Sequence, residues 1–366
     1  MTSGADLLRN PALRGILPAQ ALAAAFDARW IGGPPPEAAQ IQPASLDLRL
    51  GPVAYRLPFS FLPGRHRSVA DAVDAHAMHT LDLEDAAVLE RGCVYLVPLA
   101  ETLHLPDHVA ASANPKSSTG RLDVFARVIT DRATEFDRLP KGYRGPLWVE
   151  LSPRTFSIKV RSGSRLVQLR LRAGNPGYSH DELSAINVAS PLIHPAAPLR
   201  DGLLALHVDT IAEPGGPVAY RARKHAGLVD VDQPGGHDPG AFWEEINPKP
   251  GGGLVLDPGD FYILASKERV VVPPSCAAEM VAYDTLVGEF RVHYAGFFDP
   301  GFGWPDGTRA VLEVRSHEVP FLLDDGQLVG HLQHERMAAV PDRLYGQDLG
   351  SHYASQALTL SKHFRV

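Results

Sequence analysis

The sequence predicts a mainly β protein made of two tandem copies of one domain, and three observations predict it. The chain of 366 residues holds 33 Gly and 32 Pro, punctuation that suits many short strands joined by turns better than a helical bundle. Short apolar runs follow Gly-containing turns throughout. The third observation is an internal repeat. Val88-Leu89-Glu90-Arg91-Gly92-Cys93-Val94-Tyr95 returns as Val255-Leu256-Asp257-Pro258-Gly259-Asp260-Phe261-Tyr262, 167 positions later, and the same offset relates Glu101 to Glu268 and Pro106 to Pro273. Trp148-Val149-Glu150-Leu151 returns as Val311-Leu312-Glu313-Val314 at an offset of 163, which Gly163 and Gly326 keep. One such match is expected by chance in β-rich chains. Several in order, at nearly constant spacing, indicate duplication with a small loop deletion.

Taken in order, residues 18–25 form the first helix candidate. Residues 94–99, 147–151, 158–160 and 166–171 read as strands, apolar or alternating. Residues 190–199 hold three prolines and read as a semi-rigid linker, so the domains are placed at 1–196 and 197–366. A second short helix is expected over 238–245, with Asp238 as N-cap and Pro239 in the first turn. Strands follow at 261–264 and 310–314. The polar stretch 345–362, interrupted by Gly346 and Gly350, reads as a frayed end or as a tail able to close over a ligand.

At roughly 100–200 residues per domain, the length allows two or three domains with real cores. A hydrophobic fraction of 45% and a charged fraction of 21% are ordinary for a globular protein. A net charge of −7 argues against a general nucleic-acid binder. Two distant cysteines, Cys93 and Cys276, give no disulfide framework and suit a reducing compartment. No basic leader with an apolar core stands at the N-terminus, and no apolar run reaches the roughly 18 residues of a membrane span; the expected location is the cytoplasm. Of sixteen histidines, no pair has convincing ligand spacing. His76 and His79, three apart, fall in a stretch read as loop.

Two segments and two glutamates bear chemistry. In Lys116-Ser117-Ser118-Thr119-Gly120-Arg121, the adjacent hydroxyls of Ser117 and Ser118 supply donors to phosphate oxygens, Lys116 a point charge and Arg121 a planar fork; a polar turn is the competing reading of Lys-Ser-Ser alone. Copy two sets Asp284, Thr285 and Gly288 against Ser117, Ser118 and Arg121, so its phosphate function is expected to be lost. Ala295-Gly296-Phe297-Phe298-Asp299-Pro300-Gly301-Phe302-Gly303 holds a tight turn at Asp299-Pro300-Gly301 that exposes backbone polar groups, with small residues at Ala295 and Gly296 leaving room and Phe297 and Phe298 able to wall a ligand; Asp-Pro-Gly alone would be an ordinary turn. Copy one keeps a looser version, Ala133-Thr134-Glu135-Phe136-Asp137, then Gly142-Tyr143-Arg144-Gly145. Glu150 and Glu313 each stand between apolar strand residues, an unusual place for a carboxylate, although an edge strand facing solvent would also fit.

Together with Gln42-Pro43-Ala44-Ser45-Leu46-Asp47-Leu48-Arg49-Leu50-Gly51, which resembles the family's opening strand, these segments resemble the dCTP deaminase family of the dUTPase-like superfamily, in a tandem two-domain form. The resemblance spans most of both copies, and the hairpin is its most specific part. It implies two dUTPase-like distorted β-barrel or jelly-roll domains with few short helices, and hydrolysis of dCTP to dUTP and ammonia. It implies phosphate ligands Lys116, Ser117, Ser118 and Arg121, with Pro115 standing where the family has glycine. Ala295, Gly296, Phe298, Asp299 and, in copy one, Asp137 would meet the nucleoside. Glu313 or Glu150 would be the catalytic glutamate, and Tyr345, Tyr353 and Gln356 would belong to a closing tail. The zinc deaminases need Pro-Cys-x-x-Cys, which this chain lacks, so a zinc site of that type is not expected; a buried glutamate can act first as base and then as acid. Mg²⁺ is expected to arrive with the triphosphate.

In the family, sites form between subunits of a trimer, which implies a trimer of two-domain chains. A mixed site would draw its phosphate ligands from copy one and its hairpin and Glu313 from copy two. The alternative pairs copy-one domains around Glu150. Alternative activities are a dUTP diphosphatase or a bifunctional dUMP-forming deaminase, for which Asp131 is the candidate activator of water; copy two has Tyr294 at the comparable place. A regulator that binds nucleotide without turnover is the third reading.

Overall fold

The computed structural model describes residues 2–211, 216–282, 290–292, 296–316, 318–346 and 358–365. The protein is mainly β, with short helices. Its strands repeat the sequence duplication. In the first half, one sheet runs His79–Asp82, Val53–Leu57, Val94–His104, Arg144–Pro153, Val124–Thr130, with Ile31–Gly32 also on Val94–His104. In the second half the order is Trp243–Ile246, Ala219–Ala222, Phe261–Val270, Thr308–Ser316, Phe290–Val292, with Ile193–His194 on Phe261–Val270.

The second sheets correspond as well. Val167–Ala173 pairs with Val109–Pro115 and with Leu46–Leu48 in the first half. Leu328–Arg336 pairs with Cys276–Ala282 and with Leu204–His207 in the second. The repeated glutamates Glu101 and Glu268 do the same work in each copy: Glu101 accepts the Arg49 N–H at 2.9 Å and Glu268 the His207 N–H at 2.8 Å. Each buried carboxylate thereby ties a long central strand to the chain arriving from the facing sheet.

The period-2 alternation of strands explains what lies on either side of the central sheets. In Thr308–Ser316, Ala310, Leu312 and Val314 point into the second half's own core. Val311, Glu313 and Arg315 turn to the opposite face, which the first half covers: Val311, Ile263 and Phe261 all join the first half's core. The equivalent face of Arg144–Pro153, with Trp148 and Glu150, is covered instead by its own half, through Leu57, Phe61, Leu62, Val69 and Val73. An aromatic cluster of Phe156, Phe242, Trp243 and Phe364 also joins the halves, with ring centroids 5.3–6.5 Å apart.

Several local expectations change. The helix expected over 18–25 is Ala19–Asp27. The one expected over 238–245 is a single turn, Pro239–Phe242, capped by the Asp238 side chain, after which Trp243–Ile246 is a strand paired to Ala219–Ala222. The linker over 190–199 is structured, since Ile193 and His194 pair with Val270 and Arg269, and Leu192 and Ile193 enter the second core. Ahead of it lies a helix that the sequence patterns did not indicate, His180–Ala189, closed by a capping box between Ser179 and Glu182. His76 and His79 are not in a loop: His76 ends the helix Val69–His76 and His79 begins a strand.

Candidate active site

A cavity of about 220 Å³ lies between the halves, lined by the phosphate-type segment of copy one and the hairpin of copy two. Strand Val109–Pro115 delivers Lys116 to its edge, and one helical turn, Ser117–Gly120, places Ser117, Ser118 and Arg121 on its wall. Pro115 ends that strand, opposite Val167, so the ring occupies a ladder position where its missing N–H is tolerated. Lys116 is ion-paired with Asp47, which is buried on Leu46–Leu48, the strand on the other side of Val167–Ala173.

Copy two contributes Gly296, Phe297, Phe298, Asp299, Phe302, Val311 and Glu313. A Cβ on Gly296 would meet no heavy atom within 4 Å, so this backbone borders open space. The turn that follows needs its glycines. Gly301 has φ +96, and a Cβ there would stand 2.9 Å from Leu344 Cβ and from the Tyr345 N. That close approach lets the Tyr345 N–H donate to Pro300 O at 2.8 Å and sets the Tyr345 ring 5.6 Å from Phe302, at the rim of the cavity.

Arg170 fixes the hairpin from across the halves. Its guanidinium is fully buried, donates to Ala278 O at 3.1 Å and to Asp299 Oδ1 at 3.0 Å, and lies 4.0 Å over the Phe297 ring. Asp299 is therefore an anchor of the turn as well as a lining residue.

Glu313 is the group with the chemistry. It is 6% exposed, and Arg121 Nε stands 3.8 Å from its Oε1. Burial pushes its carboxyl up to about 7, against the opposing pull of the Arg121 charge. A carboxyl titrating there can take a proton from water and return it within one cycle at neutral pH.

Glu150 occupies the equivalent strand position but not an equivalent site. It lines no part of this cavity; Arg127 from the neighbouring strand caps it, with Nε 3.2 Å from Oε1, and that guanidinium lies 4.0 Å over the Phe136 ring. Asp137, expected to meet the nucleoside, is likewise away from the cavity: it accepts the Val128 N–H at 2.7 Å, and burial raises its carboxyl to about 7. Asp131 accepts the Val69 N–H at 2.7 Å, at the start of the helix Val69–His76. Ala295, Tyr294, Asp284, Thr285, Gly288, Tyr353 and Gln356 lie outside the described residues.

The structure adds lining residues that sequence reasoning did not assign: Gln42, Asp47, Gln168, Met280, Phe302, Val311 and Lys362. Gln42, Asp47 and Phe302 stand inside the motifs named above. Lys362 ends the stretch 345–362 read as a tail, but nothing in the sequence singles it out within that stretch. Residues 358–365 return to the first half, where Ser361 Oγ donates to Ser118 O at 2.8 Å and Arg121 Nη1 donates to Thr359 O at 3.2 Å.

Both halves of the chain are similar to proteins of one known family. Residues 13–175 match the family model described as the 2'-deoxycytidine 5'-triphosphate deaminase (DCD) N-terminal domain, and residues 179–364 its C-terminal domain. A crystal structure of 2'-deoxycytidine 5'-triphosphate deaminase from Agrobacterium tumefaciens superposes with a TM-score of 0.86 at 51% identity, covering 90% of this chain and 100% of that one. Among curated relatives, "dCTP deaminase, dUMP-forming" of Halobacterium salinarum is 35% identical over 107 residues, 28% of this chain and 52% of the relative. "dCTP deaminase" of Haloarcula marismortui is 28% identical over 137 residues, 37% of this chain and 68% of the relative. The matched stretch thus spans between half and about two thirds of these two relatives.

Proposed function

The chain belongs to the 2'-deoxycytidine 5'-triphosphate deaminase family, and from that premise we propose that it hydrolyses dCTP to dUTP and ammonia in a cavity shared by its two halves. The observation that supports this most is Glu313, buried and raised to about 7, facing the phosphate-type segment across one cavity. Lys116, Ser117, Ser118, Arg121 and Lys362 take the triphosphate; Gly296, Phe298 and Asp299 frame the nucleoside, with Ala295 beside them in the sequence; Tyr345 closes the rim, and Tyr353 and Gln356 are assigned to the same tail.

In the reaction, the Glu313 carboxylate removes a proton from water as the oxygen bonds to C4 of cytosine. The tetrahedral adduct then collapses, the C4–N bond breaks, and the proton leaves with ammonia. Arg121, 3.8 Å away, favours the ionised carboxylate at the start of the cycle, and burial favours the protonated one formed during attack. Among the described residues no group of three or more His, Cys, Asp or Glu could hold a metal. Mg²⁺ is assigned to the substrate, carried on the triphosphate oxygens, because it is commonly bound through substrate phosphates.

A second reading, release of dUMP, is favoured by the dUMP-forming name of the Halobacterium relative. We assign the oligomer to a trimer of chains and the location to the cytoplasm, and place the boundary between the copies ahead of the helix His180–Ala189 rather than at 196/197, since Leu183, Leu192 and Ile193 lie in the second half's core. No helix among the described residues is long and apolar enough to cross a membrane. The test is incubation with dCTP and Mg²⁺, following ammonia and nucleotide products, with Glu313→Gln and Glu150→Gln alongside. Ammonia with dUTP, abolished in Glu313→Gln, is the expected result. dUMP in place of dUTP selects the second reading. Ammonia from Glu313→Gln, or none from the wild type, refutes the assignment.

A further inference from the structure

A second cavity, of about 180 Å³, opens where the turn at Arg91 in copy one meets the turn at Gly259 and Asp260 in copy two. Its lining is unlike the first. Arg91, Arg154, Arg223, Lys224, His225 and Arg315 surround it, and Asp260 is the one carboxylate among the lining residues. In a chain of net charge −7, five permanent cations around one small cavity form a local field of opposite sign, and such a cleft concentrates anions.

The charges are only partly neutralised within the fold. Lys224 Nζ pairs with Asp260 Oδ1 at 3.1 Å, and Arg315 is held by Asp123 and by Thr155 Oγ1 at 2.8 Å. Arg91, Arg154 and Arg223 make no ion pair among the described residues; Arg223 spends its Nε on Gly240 O and Trp243 O, at 3.0 and 3.1 Å, leaving its terminal nitrogens available. Arg315 Nε is buried without a hydrogen-bond partner. The guanidinium fork suits phosphate oxygens, which accept two parallel bonds from it.

We propose that this cleft binds the di- or triphosphate moiety of a small ligand, separately from the cavity that holds Glu313. Phe261 is buried at 1% exposure and Ala222 is the other apolar residue, so what the cleft presents is cationic: exposed guanidinium groups, Lys224 and the His225 ring. The site therefore reads phosphate, through its guanidinium groups. It also touches the reaction machinery: Arg315 lies two residues beyond Glu313 on the same strand face, and the cross-half pair Asp123–Arg315 parallels Arg121–Glu313 two residues along both segments.

The test is calorimetric titration of the full-length protein with inorganic pyrophosphate at low and at physiological salt. It is run beside the double variant Arg91→Ala/Arg154→Ala, two positions outside the Glu313 cavity, and beside Arg223→Ala as a second, separate variant. Thermal unfolding establishes that each is folded. The expected result is the loss of one pyrophosphate equivalent per chain in the double variant, a tenfold or greater weakening of that equivalent in Arg223→Ala, and affinity that falls with salt. Unchanged stoichiometry and affinity in both folded variants would overturn the proposal, as would a wild-type protein that binds no pyrophosphate at low salt.

Discussion

Replacing Glu313 by Gln should abolish ammonia release and at the same time stabilise the protein, in a pH-dependent way. The side chain keeps its size and loses only its ability to ionise. In the fold, burial raises the Glu313 carboxyl from 4.5 to about 7, so the folded state favours the protonated form. The stability linked to that proton is fully present below about pH 4.5 and is lost as pH rises through 7. With about 1.4 kcal/mol for each tenfold change in proton affinity, the wild type should lose about 3 kcal/mol across this window that the Gln variant does not. Urea denaturation of both proteins at pH 4 and pH 8 measures it: near-equal stability at pH 4, and the variant more stable at pH 8. The ion pair with Arg121 acts in the opposite direction and is already included in the raised value. A variant less stable than wild type at pH 8 would mean that Arg121 more than compensates burial. The acid-base reasoning would then fail, because the carboxyl would no longer titrate near neutrality.

Glu150→Gln should destabilise the protein by about 1–3 kcal/mol, read by the same denaturation at pH 8, since it leaves Arg127 without its buried counter-charge. Arg170→Met should cost about 3–5 kcal/mol, because Asp299 is left buried and unpaired; in protein still folded, KM for dCTP should rise as the hairpin loosens. Lys362→Met should raise KM for dCTP about tenfold or more while altering kcat little, as expected for the loss of one charged phosphate contact of about 1.5–3 kcal/mol. The rate of wild-type ammonia release per dCTP should fall as pH drops below about 7, where Glu313 is protonated before attack, and a flat profile from pH 5 to 8 would exclude Glu313 as the base.

The repeat determined more of this protein than any single motif did. Offsets of 167 and 163 read from the chain correspond to strands that hold the same places in two sheets, down to Glu150 and Glu313 facing Leu96 and Ile263. Strand identity was legible because alternation and Gly turns are local. The short helices Val69–His76 and His180–Ala189 were missed although each starts at a capping box, Ser68 with Asp71 and Ser179 with Glu182; the second buries only Leu183, so it shows little apolar periodicity. The sequence also singled out Lys116, Ser117, Ser118, Arg121, Gly296, Phe298, Asp299 and both glutamates as the residues with chemistry to do.

Only the tertiary structure decided what covers each glutamate. Two identical strand positions received opposite environments because the face bearing Glu313 is closed by the other half, which brings Arg121 to 3.8 Å and leaves a cavity. The face bearing Glu150 is closed by its own half, with Arg127 and the side chains around Val69 filling the space. Lys362 and the cations around Arg315 come together the same way, from segments far apart in the chain. Alternation along a strand fixes which face a side chain takes; what packs on that face is a long-range contact, and no local pattern encodes it.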